Sequence, residues 1–243
     1  ISVGPPFYNK LIAPFLIPFL FAMAIGPKLK WIKSDIESKF YLLLFLIISI
    51  IISLLIIRNL DINFLLNSIL LTAALYLFFI TLRDFVTKKI QNFSQNLAHF
   101  SFSLLILSIL INNIFSSEII TNLKVNEIYE SERLKISFES IEQRDKQNFK
   151  SITGKFVVEE FDGDTEIMKP ELRIYNQPNI VTSEADIKID IFHDKFMTMN
   201  YVQNQDYFNI RYQLKPFMIW IWLSTIMLSV SGLLSFMQRK YEK

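Results

Sequence analysis

Apolar residues in this chain are gathered into long blocks. Five blocks qualify as membrane spans: residues 11–25, 41–57, 63–82, 97–111 and 217–237. A helix needs roughly 20 mostly apolar residues to cross the hydrocarbon core of a bilayer. Pro14 and Pro18 lie inside the first block, where a membrane helix tolerates them because its neighbours can satisfy the freed carbonyls. The pattern therefore predicts five transmembrane helices.

The other interpretation of these blocks is that the shorter ones are buried core helices of a soluble protein. Such a core needs amphipathic helices or strands around it to present a polar surface to water. Five blocks in 243 residues leave too little amphipathic sequence to enclose them. We therefore favour a polytopic α-helical membrane protein.

Charged residues predict the orientation of the spans. Basic residues gather in the two loops after the first and third spans and in the tail: Lys28, Lys30, Lys33, Lys39, Arg83, Lys88, Lys89, Arg239, Lys240 and Lys243. With five spans, these three segments share one face of the membrane, and short loops rich in lysine and arginine remain on the cytoplasmic side. Of the 23 acidic residues, 18 lie between Glu118 and Asp206, which belongs to the opposite face. The cytoplasmic (or matrix) face is therefore basic, and the acidic region is periplasmic or in the intermembrane space.

The acidic region has the pattern of a β-rich domain inserted before the last helix. Residues 155–158 followed by Asp162, Gly163 and Asp164 have the composition of a hairpin. Residues 185–191 alternate polar and apolar, which is typical of a half-buried strand, and residues 207–214 alternate less regularly. A short helix is predicted near residues 119–129. The predicted organisation is a four-helix membrane region (1–115), an extracytoplasmic β-rich domain (116–215), and a final helix with a cytoplasmic tail (216–243).

Composition excludes several classes of function. The chain has no cysteine, which rules out disulfides, thiolate metal sites and cysteine nucleophiles. It has five glycines and neither of the glycine-rich phosphate-binding patterns. It has no basic patch of the kind that binds nucleic acid. Two histidines cannot plausibly supply a Ser-His-Asp set, so a hydrolase is disfavoured.

His99 is the main candidate for chemistry. It lies in the fourth predicted span, near the cytoplasmic end, and an ionisable residue inside a span marks a candidate functional site. Neutral imidazole is a common ligand of haem iron. Phe100 and Phe102 are aromatic and Ala98 and Ser101 are small, which suits a flat macrocycle. From the residues alone, a structural histidine bonded to a neighbouring helix remains the alternative.

The other polar candidates favour structural roles. His193 lies between charged residues in the acidic domain, where an exposed histidine is the simplest interpretation. Glu159, Glu160, Asp162 and Asp164 miss the spacing of a calcium loop, and we interpret them as a solvated hairpin tip. Phe217, Trp220 and Trp222 are typical of an aromatic belt at a membrane interface.

Several motifs, in order along the chain, resemble the cytochrome c-type biogenesis protein family CcmF. Residues 1–9 (ISVGPPFYN) resemble the family's segment before a membrane span. Residues 96–102 (NLAHFSF) are similar to its Ala-His-x-Gly-Phe element, with Ser101 in place of the glycine. Residues 169–175 (KPELRIY) resemble its Pro-Glu-Lys-Arg-x-Tyr element, with Leu172 in place of the lysine, and residues 182–187 its Thr-Glu-x-x-Ile stretch. Residues 215–223, 231–234 and 239–241 match the end of the family.

The resemblance implies a haem lyase, or holocytochrome c synthase, of a bacterial inner membrane (the mitochondrial inner membrane if organelle-encoded). Such a lyase takes haem from the haem chaperone CcmE. With CcmH-type thiol-reducing partners, it joins that haem to apocytochrome c. A haem b in the membrane region is expected to keep the incoming iron reduced, and His99 is the implied axial ligand. His193 inherits no role.

The family's tryptophan-rich haem-handling segment and its other histidine ligands have no counterpart here. We therefore expect this chain to be the C-terminal part of a longer protein, or a split subunit that needs the missing N-terminal part. Two alternatives differ in class. One is a non-enzymatic membrane scaffold that docks partner proteins through the extracytoplasmic domain. The other is a transporter subunit, which the shortage of charge within the spans disfavours.

Overall fold

A computed structural model of the chain describes residues 5–28, 40–58, 60, 64–87, 93–160, 163–203 and 205–241. The described residues divide into two compact units. The membrane unit comprises residues 1–111 and 220–243, and the β unit comprises Asn112–Ile219.

The structure confirms five helices that are long and apolar enough to cross a membrane. They are α1 (Pro5–Ile25), α2 (Phe40–Ile57), α3 (Phe64–Thr87), α4 (Phe93–Phe115) and α5 (Met218–Tyr241). A short 3₁₀ turn, Gly26–Lys28, follows α1. Pro14 and Pro18 lie within α1, as expected for a membrane helix. Helices α3 and α4 are longer than the apolar blocks that predicted them. Polar residues extend α3 at its C-terminal end and α4 at both ends.

Helix α3 is the most buried of the five helices and packs against α1 and α2. The core of the membrane unit consists of Leu20 and Ala24 from α1 with Ala73, Tyr76, Leu77 and Ile80 from α3. Hydroxyl groups also join the helices. Ser53 donates to the carbonyl of Ser68 at 2.8 Å, and the hydroxyls of Thr81 and Ser103 lie 2.7 Å apart. Small and hydroxyl-bearing residues suit these positions because they allow close helix approach in a bilayer.

The β unit consists of two antiparallel sheets. The four-stranded sheet has the order β1 (Ser117–Leu123), β10 (Phe208–Pro216), β9 (His193–Tyr201) and β8 (Asp186–Lys188). The six-stranded sheet has the order β2 (Ile128–Glu130), β3 (Leu134–Asp145), β4 (Phe149–Glu160), β6 (Glu171–Tyr175) and β7 (Ile180–Glu184), and β5 (Thr165–Met168) pairs with β4. The fold is therefore a β-rich domain placed before the last helix, as predicted.

The core of the β unit is built from both sheets. Phe138 and Phe156 stack with ring centroids 4.2 Å apart, and both are almost fully buried. Met197, Met199, Ile210 and Tyr212 from the four-stranded sheet belong to the same cluster. Apolar residues alternate with polar ones along β3, β4, β9 and β10, and this period places one face of each strand against the core.

Three local predictions meet different outcomes. The hairpin is confirmed, since β4 pairs with β5 and Gly163 adopts a positive φ of 98° in the turn, while Asp162 lies outside the described residues. The prediction of a short helix near residues 119–129 is wrong, because that stretch forms β1, a turn and β2. Ile119, Thr121 and Leu123 alternate with exposed side chains, so the period is that of a strand. The strand predicted at 185–191 is shorter, since β8 ends at Lys188.

Candidate functional site

His99 lies on α4, six residues after the helix begins at Phe93. It borders a cavity of about 180 Å³ in the membrane unit. Gln95 and Asn96 line it from the same helix, and helices α1 and α3 and the 3₁₀ turn supply the other walls, which are formed by Met23, Ala24, Pro27, Ile80, Thr81 and Asp84. The structure therefore places the imidazole beside a space with both apolar and polar walls.

Neighbouring packing holds α4 in place around His99. The Phe100 ring stacks on Phe85 of α3 with centroids 5.1 Å apart, and Phe102 meets Phe19 of α1 edge-on. Ser101 is fully buried, and its hydroxyl donates to the carbonyl of Leu97 at 2.7 Å. The Ser101 hydroxyl is therefore satisfied within its own helix. Phe100 and Phe102, expected from sequence to suit a macrocycle, are not among the described lining residues of the cavity.

A buried ion pair lies at the same cavity. The Lys28 ammonium, on the turn after α1, contacts the Asp84 carboxylate of α3. Both side chains are largely buried, and Asp84 lines the cavity. Because a buried charge is costly without a partner, the pair joins α1 to α3 at the level of His99.

Sequence reasoning missed Asp84 because it assigned this residue to a loop. The structure continues α3 to Thr87, so Arg83 and Asp84 belong to the helix. One signal was available, since Asp84 is the only acidic residue between Asp61 and Glu118. The Arg83 guanidinium lies 3.7 Å from the centroid of the Tyr41 ring, so its charge is also engaged within the membrane unit.

The β unit holds a second polar feature, a charged cleft of about 590 Å³. Its wall includes Glu160 on β4, Glu166 on β5 and Lys195 on β9. The Lys195 ammonium lies 2.9 Å from Glu160 and 3.1 Å from Glu166, and the buried Tyr212 hydroxyl donates to Glu160 at 3.3 Å. His193 lies at the rim and is exposed. The structure brings Glu160, but not the described neighbour Glu159, into this cleft; Glu159 instead pairs with Lys135 at 3.5 Å.

The electrostatics of the cleft favour a structural ion-pair network. Burial lowers the pKa of Lys195, but the hydrogen bonds that its ammonium donates to Glu160 and Glu166 outweigh that effect, and the net pKa is raised. Burial and the Glu160 charge raise the pKa of the Tyr212 hydroxyl, so Tyr212 stays neutral and donates. Among the described residues, no group of three or more acidic or histidine side chains has a geometry that could hold a metal ion.

Comparison with known proteins finds similarity in the β unit and along the whole chain. Residues 114–216 match the protein family described as the CcmF C-terminal β-sandwich. The chain is 21% identical to the cytochrome c-type biogenesis protein CcmF of Pseudomonas aeruginosa over 258 residues, which cover 99% of this chain and 39% of that protein. It is 25% identical to the cytochrome c-type biogenesis protein NrfE of Haemophilus influenzae, covering 100% of this chain and 40% of that protein.

A solved structure called cytochrome c heme lyase CcmF has the same fold. It superposes with a TM-score of 0.71 at 18% identity, and the match covers 95% of this chain and 40% of that one. The match therefore extends over the helices as well as the β unit. The chain spans about two fifths of the length of the relatives that it matches.

Proposed function

We propose that this chain, which corresponds to the C-terminal portion of the CcmF proteins, forms the C-terminal section of a haem lyase that attaches haem to apocytochrome c. The similarity covers almost the whole chain, and it includes both the helices and the β unit. The observation that carries the proposal is the position of His99. It is the only histidine in the five helices, and it borders a cavity within the segment that resembles the family's histidine element.

His99 is proposed as one axial ligand of a haem b. Neutral imidazole is a common ligand of haem iron, and a haem supplies one-electron chemistry when bound. The cavity beside His99, about 180 Å³, is below the roughly 300 Å³ at which small-molecule pockets begin, so these walls alone would not enclose a whole haem. The described residues of this chain would therefore supply part of the haem site, and the remainder of the assembly would have to complete it.

The position of His99 along α4 favours an electron-transfer role over a direct role in thioether formation. Sixteen residues separate it from the end of α4 at Phe115, which is on the order of 24 Å at 1.5 Å per residue. The β unit begins at that far end. We therefore assign His99 to keeping substrate haem iron reduced, and we place haem attachment on the side of the β unit.

The β unit is proposed to dock or position partners on the periplasmic side of a bacterial inner membrane. The proposed partners are the haem chaperone CcmE, CcmH-type proteins, apocytochrome c and the N-terminal part of the lyase. Residues 116–215 carry 18 acidic and 13 basic side chains, so the unit is net acidic. A net acidic surface attracts basic partners and speeds their association.

The two histidines of this chain provide a matched test of the ligand proposal. The full assembly is purified with His99→Ala or with His193→Ala, and the dithionite-reduced absorption spectrum is recorded. We expect the Soret and α bands to be lost or shifted by His99→Ala, because the iron loses a ligand. His193 is exposed on the β unit, so His193→Ala should leave both bands unchanged.

Rescue by imidazole separates a lost ligand from a disturbed fold. Substitution His99→Gly leaves space for free imidazole, which should restore the band positions if the ring was a ligand. Identical spectra for both alanine variants at equal protein yield would contradict the ligand proposal. Normal cytochrome c maturation with those spectra would favour the docking scaffold.

A further inference from the structure

The loop between β8 and β9, residues 189–192, exposes apolar side chains. Ile189 is 71% exposed, Ile191 56% and Phe192 53%. Loops on aqueous surfaces are normally built from polar and turn-forming residues. Three large apolar side chains within four residues form a contiguous exposed patch, and such patches mark interaction surfaces.

The loop lies at the end of the four-stranded sheet where the chain connects to its helices. Strand β1 begins two residues after α4 ends, and Ser117 pairs with Leu214 of β10. Strand β10 ends at Pro216, which pairs with His193 of β9, while Lys195 pairs with Lys188 of β8. Adjacent strands are about 4.8 Å apart, so the loop lies within roughly 10 Å of both Pro216 and the start of α5.

Direct contacts hold the loop at the level of that helix start. The Phe217 amide donates to the carbonyl of Phe192 at 2.8 Å, and the two rings have centroids 6.2 Å apart. Phe217 adopts a φ of 61°, which is uncommon for a bulky residue and turns the chain from β10 into α5. On the other side, the Asp190 amide donates to the carboxylate of Asp194, which is buried. The loop therefore cannot move away from the helix start without breaking these contacts.

We propose that the β8–β9 loop lies in the interfacial region of the bilayer and inserts Ile189, Ile191 and Phe192 among the lipids. The apolar stretch of α5, Met218–Gln238, has 21 residues, or roughly 31 Å at 1.5 Å per residue, which matches the hydrocarbon core. Met218 therefore lies at the boundary of that core. Phe192 is hydrogen-bonded to Phe217, the residue immediately before Met218. At this depth, a membrane-spanning helix is surrounded by lipid. Burying apolar side chains there anchors the β unit to the membrane surface.

This inference depends on the membrane spans and not on the haem lyase role. Because the chain has no cysteine, single cysteines can be introduced into the full chain and labelled with the fluorophore NBD. The labelled positions are Ile189→Cys and Ile191→Cys in the loop. The matched control is Ile128→Cys, an isoleucine that is 57% exposed on β2. It follows the turn at the opposite end of β1, whose seven residues span roughly 20 Å.

Each labelled protein is reconstituted into phosphatidylcholine vesicles, with and without lipids that carry a doxyl quencher near the headgroup. We expect several-fold stronger doxyl quenching and a blue-shifted emission at positions 189 and 191 relative to 128, together with weaker quenching by aqueous iodide. Equal iodide quenching at all three positions would show that the loop is in water and overturn the proposal. Protection from both quenchers at 189 and 191 would also overturn it, because a protein surface would then cover the loop.

Discussion

Lys195 lies at the centre of an ion-pair network inside the β unit. Its side chain is 12% exposed and contacts two glutamates from different strands. The partial burial of the Glu160 and Glu166 carboxylates and the near-complete burial of the Lys195 ammonium are tolerated because each charge has a partner. One oxygen of Glu166 is buried without a hydrogen-bond partner among the described residues. The sequence shows Glu160, Glu166 and Lys195 as ordinary surface charges, and only the sheet pairing brings them together.

Substitution Lys195→Met should destabilise the β unit by about 1–3 kcal/mol, because Glu160 and Glu166 lose their shared cation. The raised pKa of Lys195 also sets the direction in which the stability of the β unit changes with pH. The stability that Lys195 contributes is fully present below its unfolded-state pKa of about 10.4. It is lost as pH rises through the higher folded-state pKa. Hydrogen exchange of β9 and β10 in the full chain, measured by mass spectrometry, reports both effects.

The matched control is Lys188→Met. Lys188 lines the same cleft, but its side chain is 45% exposed, and its ion pair with Asp186 is 3.8 Å long. Exposed ion pairs contribute little, so this variant should exchange like the parent protein. Equal protection in both variants would mean that the Lys195 network does not stabilise the fold.

At the scale of elements, β4 is the strand on which the six-stranded sheet depends. Its first half pairs with β6 and its second half with β5, and its whole length pairs with β3. Gly154 lies at the change of partner, and its amide donates to the carbonyl of Pro170 at 3.0 Å. A Cβ at this position would lie 2.6 Å from the Phe156 ring and 2.9 Å from the Met199 sulfur. The strand therefore requires a glycine for space and not for a positive φ.

Substitution Gly154→Ala should cost about 1–3 kcal/mol of stability, the usual cost of overpacking a well-filled core. The expected result is faster hydrogen exchange in β3 and β4 of the full chain. Gly232→Ala, in α5, is the control because its added Cβ meets nothing within 4 Å. Unchanged exchange in the Gly154 variant would show that Phe156 and Met199 move aside without cost.

At the scale of the whole molecule, the distribution of charge predicts one orientation in the membrane. The acidic β unit follows α4, and the loops after the first and third spans and the C-terminal tail carry ten of the 25 lysines and arginines. Translocation disfavours lysine and arginine in short loops, so the basic face should remain cytoplasmic. In the proposed orientation, His99 is expected toward the cytoplasmic face, and the charged cleft and the β8–β9 loop are expected on the periplasmic side.

Single cysteines in the cysteine-free chain also test this orientation. Val86→Cys lies near the end of α3, where Val86 is 73% exposed, and Ile128→Cys lies on the β unit. A membrane-impermeant maleimide added to spheroplasts should label position 128 and label position 86 only after lysis. Labelling of position 86 in intact spheroplasts would reverse the proposed topology.

The amino-acid sequence alone determined the number of helices, the β-rich domain and the candidate histidine. These follow from properties that a residue carries with it: apolar length, alternation, charge and the chemistry of imidazole. The helix predicted at residues 119–129 is wrong because the seven residues of β1 form their interstrand hydrogen bonds only by pairing with β10, about ninety positions later. Propensity over a short window cannot register such a partner.

Tertiary structure alone decided which side chains meet. It placed Asp84 against Lys28 beside His99, joined Lys195 to two glutamates, and brought the loop 189–192 to the start of α5. In each case the partners are separated by dozens of positions or by several strands. Their proximity depends on helix packing for Lys28 and Asp84 and on sheet register for the others, since a register shift of one residue would turn a strand side chain to the opposite face.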